Sequence, residues 1–214
     1  MQGIPSLISN LFDIKPTEMR RALLLQLYVF ILITTLLIVK PTINSIFLTA
    51  LSSEALPTAY LLTAVFAVLF SFFYDKILWI FPLNRVIYGT LILCALLFGL
   101  FCFLLHYHPS TTGWLYAPYL FVAIYGLLTT SQFWILANLV FNVREAKRLF
   151  GFIGSGAIAG GVFGGYLTSL LSEVISSENL LLVAAVLILI CIPISSYLWK
   201  TYVDKSHVEK PIKE

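Results

Sequence analysis

Six stretches of this chain, residues 22–39, 55–74, 86–105, 114–141, 149–172 and 180–199, contain no Asp, Glu, Lys or Arg at all. About 20 such residues are what a helix needs to cross a hydrocarbon core of about 30 Å. Together the six take up more than half of the 214 residues, and 60% of the chain is hydrophobic. Only 11% is charged, against about 25% in an ordinary globular chain. That scarcity excludes a nucleic-acid binder, a disordered tail and most soluble enzymes. The stretches are uniformly apolar, whereas a barrel strand alternates over about ten residues. In hydrocarbon every backbone N–H and C=O has to pair inside the protein, so such segments become helices. The expected fold is an all-α membrane protein with six transmembrane helices. Residues 1–21 form an interfacial N-terminal segment, 22–199 the spanning domain and 200–214 a tail or linker.

The basic residues set the expected orientation, because Lys and Arg collect in cytoplasmic loops. Lys15, Arg20 and Arg21 precede the first stretch, and Lys76 and Arg85 lie between the second and third. Arg144, Lys147 and Arg148 separate the fourth from the fifth, and Lys200, Lys205, Lys210 and Lys213 follow the sixth. These four places fall on one side and hold every basic residue except Lys40. Both termini are expected to be cytoplasmic, in the inner membrane of a cell. Residues 6–14 look amphipathic and suit the interface. Pro16, Thr17 and Glu18 mark a helix start, with an acid at the positive dipole end. Pro41 is expected to kink or break the first helix by removing a donor, which could then continue to about Ala50.

Polar groups at lipid depth are costly and usually face a bundle interior or a water-filled cavity. At 100° per residue, Gln26, Lys40 and Asn44 fall within about 40° of one another. In the fourth stretch Tyr125, Thr129 and Gln132 form one stripe, and Ser131, Asn138 and Asn142 another. A cationic, hydrogen-bonding lining drawn from Lys40, Asn44, Gln132 and Asn138 would suit an anionic or polar solute. The competing reading is that Asn and Gln bond helices together while Lys40 snorkels to the interface.

The fifth stretch carries two rows of glycines, Gly156, Gly160 and Gly164 in one and Gly161 and Gly165 in the other. Glycines four apart strip one helix face, so another helix can approach backbone to backbone. Glycines without a flanking strand do not make a phosphate-binding loop. Cys94, Cys102 and Cys191 each sit in an apolar run and give neither disulfide pairing nor metal-ligand spacing. His106 and His108 are more often interfacial residues than metal ligands, so no metal site is expected. No catalytic set and no cofactor-binding pattern is present, so an enzyme is not expected.

The pattern resembles the N-terminal six-helix half of a major facilitator superfamily transporter. Asp75, Lys76 and Arg85 sit where that superfamily keeps an acidic–basic loop between its second and third helices. The run Gly156-Ala-Ile-Ala-Gly160-Gly161-Val-Phe-Gly164-Gly165 is similar to its fifth-helix signature, with Gly161 in place of a proline. Residues 133–157, through Trp134, Asn138, Glu145, Ala146, Lys147 and Arg148, resemble the ATP/ADP translocase (nucleotide exchange transporter) family and its bacterial relatives of unassigned substrate. The starts LFDIKPTEMRRALLL and KPTINSIFLT are also similar to that family. The exchangers end their first helix in an Arg-Asp-Thr-Lys-Asp-type motif. Laid on this chain, its arginine falls on Lys40, its lysine on Ile43 and its second acid on Asn44.

The resemblance therefore implies the scaffold rather than nucleotide exchange: two three-helix inverted repeats, with a solute path near the bundle axis. It implies a second six-helix half, supplied by a longer chain, another protein subunit or a homo-oligomer. It also implies that the glycine face of the fifth helix is left open. The expected function is secondary transport of a small anionic or polar metabolite by alternating access. The alternative is a transporter-derived platform that moves nothing and anchors or senses for a larger protein complex.

Overall fold

The computed structural model describes residues 16–107 and 113–203. The amphipathic segment 6–14, His108 and the tail from 204 onward lie outside the described residues. Among the described residues six α-helices appear in the order α1 (Pro16–Leu51), α2 (Leu56–Ile80), α3 (Leu83–Tyr107), α4 (Tyr116–Val140), α5 (Val143–Val174) and α6 (Leu180–Tyr202). All six are long and apolar enough to cross a membrane. They run up and down through short connections, three of which contain a single 3-10 turn.

Every helix except α4, which lies inside its own stretch, overruns the uncharged stretch that announced it at one end or both. α1 has 36 residues, about 54 Å at 1.5 Å per residue, so it reaches well past a hydrocarbon core. Glu18, Arg20 and Arg21 thus belong to its first turns, and α2 and α5 likewise take in Asp75, Lys76 and Arg144 to Arg148. The reason is that charge marks where hydrocarbon ends, while backbone pairing carries on into the polar interface.

Pro41 does not break α1, which is helical to Leu51. A proline removes the N–H that would bond the carbonyl four residues earlier, here that of Leu37. The single hydroxyl proton of Thr168 on α5 is shared between that carbonyl, at 3.2 Å, and Gly164 O, at 2.8 Å. A neighbouring helix thereby supplies the missing donor, as buried backbone requires.

α1 is the hub. It packs most extensively on α5, then on α6 and α4, and α3 closes the other side of α6. Tyr28, Phe98, Tyr125 and Phe133 fill this centre with less than 2% of their surface exposed. α2 stands apart. It packs chiefly on α4, and Ala59 and Tyr74 are its only buried residues.

Candidate functional site

The basic end of the bundle is tied by charge. Asn142 caps α5, accepting from the backbone N–H of Arg144 at 3.1 Å and of Glu145 at 3.0 Å. Glu145 Oε2 in turn accepts from the Asn142 N–H at 3.2 Å, completing a reciprocal capping box. The second carboxylate oxygen of Glu145 accepts from Arg21 of α1 at 2.6 Å. Arg21 also reaches Val140 O at 3.3 Å and lies 4.9 Å over the Phe141 ring. Beside it Arg148 pairs with Glu18, whose side chain is 5% exposed. The N-x-x-E spacing of Asn142 and Glu145 could have revealed the cap from sequence. Nothing local could have paired Arg21 with Glu145 or Glu18 with Arg148, which are separated by more than 120 residues.

Below this lock the glycines of α5 meet α1. A Cβ on Gly156 would stand 2.6 Å from Gln26 O, one on Gly160 2.5 Å from Phe30 O, and one on Gly164 2.8 Å from Thr34 O. The matched steps of four residues make the two helices parallel, and the glycine hydrogens face carbonyl oxygens, as in Cα–H···O contacts. Thr34 adds a hydrogen bond to Gly160 O at 3.1 Å. The second row is different. A Cβ on Gly161 would meet only Ile33 at 3.9 Å, and one on Gly165 would meet nothing. The expectation of an open glycine face is thus corrected for the first row, which α1 itself fills.

The polar residues expected to share one lining are distributed over three places. Lys40 and Asn44 line a cleft of about 430 Å³ between α1, α2 and α4. Tyr60 and Thr63 of α2 and Tyr119 of α4 complete its polar wall, while Leu36, Ile43 and Leu127 supply its apolar wall. Lys40 is exposed to the cleft, and none of the described carboxylates pairs with it. From Tyr119 to Leu127 is about 12 Å along α4, so the cleft runs from the end opposite the basic residues towards mid-bundle.

Gln132 is elsewhere and 1% exposed. Its amide donates to Tyr74 of α2 at 3.0 Å and to Thr90 of α3 at 2.9 Å, binding three helices at one point. Asn138 donates to Trp134 O on its own helix and borders a separate depression with Arg21, Asn142 and Glu145. Gln26 turns to α5, donating to Ser155 Oγ at 3.0 Å and Phe152 O at 3.3 Å. Angular position placed Gln26 and Lys40 on one face, but 14 residues separate them by about 21 Å. At different depths the same face meets different neighbours. The signal that sequence reading lacked was α2: Tyr60 and Thr63 complete the Lys40 cleft. Asp75 and Lys76 are exposed, and Arg85 borders an apolar groove. None of the three forms an ion pair among the described residues.

Because Tyr74 is one of two buried residues on α2, its bond to Gln132 should dominate that helix's attachment. Interhelical hydrogen bonds of this kind contribute about 0.6–2 kcal/mol. Gln132→Leu is expected to speed amide exchange in α2 while leaving α1 and α5 protected. Equal protection of α2 in both proteins would disprove the tie.

No family model, curated protein or solved structure matches this chain.

Proposed function

We propose that this chain is a multi-pass membrane module of transporter type, carrying a small anionic or polar solute by alternating access. The observation behind this reading is Lys40 in its cleft, paired with none of the described carboxylates. An ammonium without a counter-ion beside hydrocarbon is expensive, and among the described Lys and Arg residues Lys40 is the one away from the charged end. A solute anion would supply the missing partner, with the Asn44 amide and the Tyr60 and Tyr119 hydroxyls as further hydrogen-bonding groups. The helix pairings support a two-fold internal arrangement. Exchanging α1 with α4, α2 with α5 and α3 with α6 turns the α1–α5 and α1–α6 contacts into the α4–α2 and α4–α3 contacts, which are present but much slighter. That is the relation expected of two three-helix inverted repeats, which place a site at their interface. On the major facilitator resemblance, a second six-helix half would cover the open side of α2. The termini would lie in the cytosol, at the basic end.

The test is uptake of labelled organic and inorganic anions into proteoliposomes holding the full chain. Lys40→Ala is expected to reduce anion flux at least tenfold and Lys40→Arg to retain most of it. Flux unchanged in Lys40→Ala would remove Lys40 from the solute path.

One observation favours the alternative, a non-transporting platform for a larger complex. Gln132 and Asn138 spend their amides on other parts of the bundle, leaving the cleft a sparse polar lining. Absence of flux for every anion, together with a stable stoichiometric protein complex, would select that reading.

A further inference from the structure

A second opening faces the other side of α2, between α2, α3 and α4. It is a groove of about 380 Å³ whose walls are almost wholly apolar. Leu93, Leu97, Phe121 and Ile124 form its deep part, and Arg85 stands at its mouth in the first turns of α3. The polar side chains in its walls are already engaged. Tyr74 accepts from Gln132, and Thr90 donates to Val86 O at 2.8 Å while accepting from Gln132. Arg85 is exposed, and its guanidinium has no partner among the described residues. The groove therefore presents hydrocarbon along its length and one permanent positive charge at one end.

That polarity matches one kind of molecule. From Arg85 to Leu97 is about 18 Å along α3, close to the roughly 15 Å depth of a single leaflet. Arg85 is at the basic end, where headgroups of that leaflet would lie, and Trp79, at the same end of α2, is 76% exposed, as a tryptophan at an interface often is. Gly89 widens the groove below the arginine, since a Cβ there would meet nothing within 4 Å. A free anion would use only the mouth, and an uncharged apolar molecule would leave Arg85 unused.

We propose that this groove is a binding site for an anionic phospholipid of the cytoplasmic leaflet, its phosphate on Arg85 and one acyl chain along α3 past Gly89. The inference rests on the bilayer reading of the six helices but not on transport. By holding a lipid against the weakly packed α2, the site would stiffen the helix that also walls the Lys40 cleft.

The test uses the full chain in nanodiscs of equal phosphatidylglycerol and phosphatidylcholine, with lipids retained on gentle extraction counted by native mass spectrometry. Wild type is expected to retain phosphatidylglycerol in preference. Arg85→Gln should lower that preference roughly fivefold, the effect of one basic residue at an anionic surface. Gly89→Phe, which puts a ring into the groove from a position where a Cβ meets nothing within 4 Å, should lose one retained lipid. Gly165→Phe, on an open face of α5, should keep it. Wild-type lipid numbers and headgroup ratio in both Arg85→Gln and Gly89→Phe would overturn the proposal. A wild-type chain that stays monodisperse in buffer without amphiphile would overturn the bilayer reading itself, so the two failures are distinguishable.

Discussion

Gly160→Leu is expected to destabilise this protein by about 3 kcal/mol or more, and Gly165→Ala to leave it intact or slightly firmer. At Gly160 the first added carbon would lie 2.5 Å from Phe30 O and 3.0 Å from Phe30 Cα. Both are backbone atoms of a continuous helix, so neither can rotate away as a side-chain tip would. Relief requires α1 and α5 to separate, and that is the most extensive contact in the bundle. Overpacking a close-fitted contact costs about 1–3 kcal/mol, occasionally more, and an entire leucine against backbone belongs at the top of that range. Separation would also pull Thr168 from the Leu37 carbonyl that Pro41 leaves without a donor. At Gly165 no atom stands within 4 Å of a new Cβ, so alanine brings only its better helix propensity, about 0.5–1 kcal/mol. Thermal unfolding in detergent, followed by circular dichroism and size exclusion, separates the two. Similar melting of Gly160→Leu and wild type would mean that the α1–α5 seam does not hold the bundle.

Arg148→Met is expected to cost about 3–5 kcal/mol, the usual result of leaving a buried charge without its partner. The charge left behind is Glu18, with 5% of its side chain exposed. Its position in the first turn of α1 favours a carboxylate through the helix dipole, but that partial charge is weaker than a guanidinium. The double variant Glu18→Leu/Arg148→Met should recover much of the loss, because it removes the stranded carboxylate as well. Arg21→Met should cost less: Glu145 would keep its bond from the Asn142 N–H and its side chain is 17% exposed. A double-mutant cycle in urea or by thermal melting reads the coupling directly. Strictly additive losses for Glu18 and Arg148 would show that the two act independently.

Six helices were legible because each of the six stretches lacks any charge over about a membrane's thickness, and the bilayer leaves such segments few alternatives. The N-x-x-E spacing at Asn142 and the fourfold glycine step from Gly156 to Gly164 were equally local signals. Their consequences were less so. Both glycine rows look alike in the sequence, yet Gly160 lies against a backbone carbonyl and Gly165 against open space. Lys40 and Asn44, four residues apart on one helix, remain together in the cleft. Gln132 and Asn138 do not join them, because each is held by neighbours that periodicity cannot identify.

The number of membrane-length helices and the ends that share the positive charge follow from residue type summed along each segment. Tertiary structure alone decided which polar groups are committed to structure and which remain available. Gln132 is tied up by Tyr74 and Thr90 and Glu18 by Arg148, while Lys40 and Arg85 have no side-chain partner among the described residues. The physical reason is that helix rotation and crossing set the neighbours of each side chain at each depth. Those depend on the fit of all six helices at once rather than on any one of them.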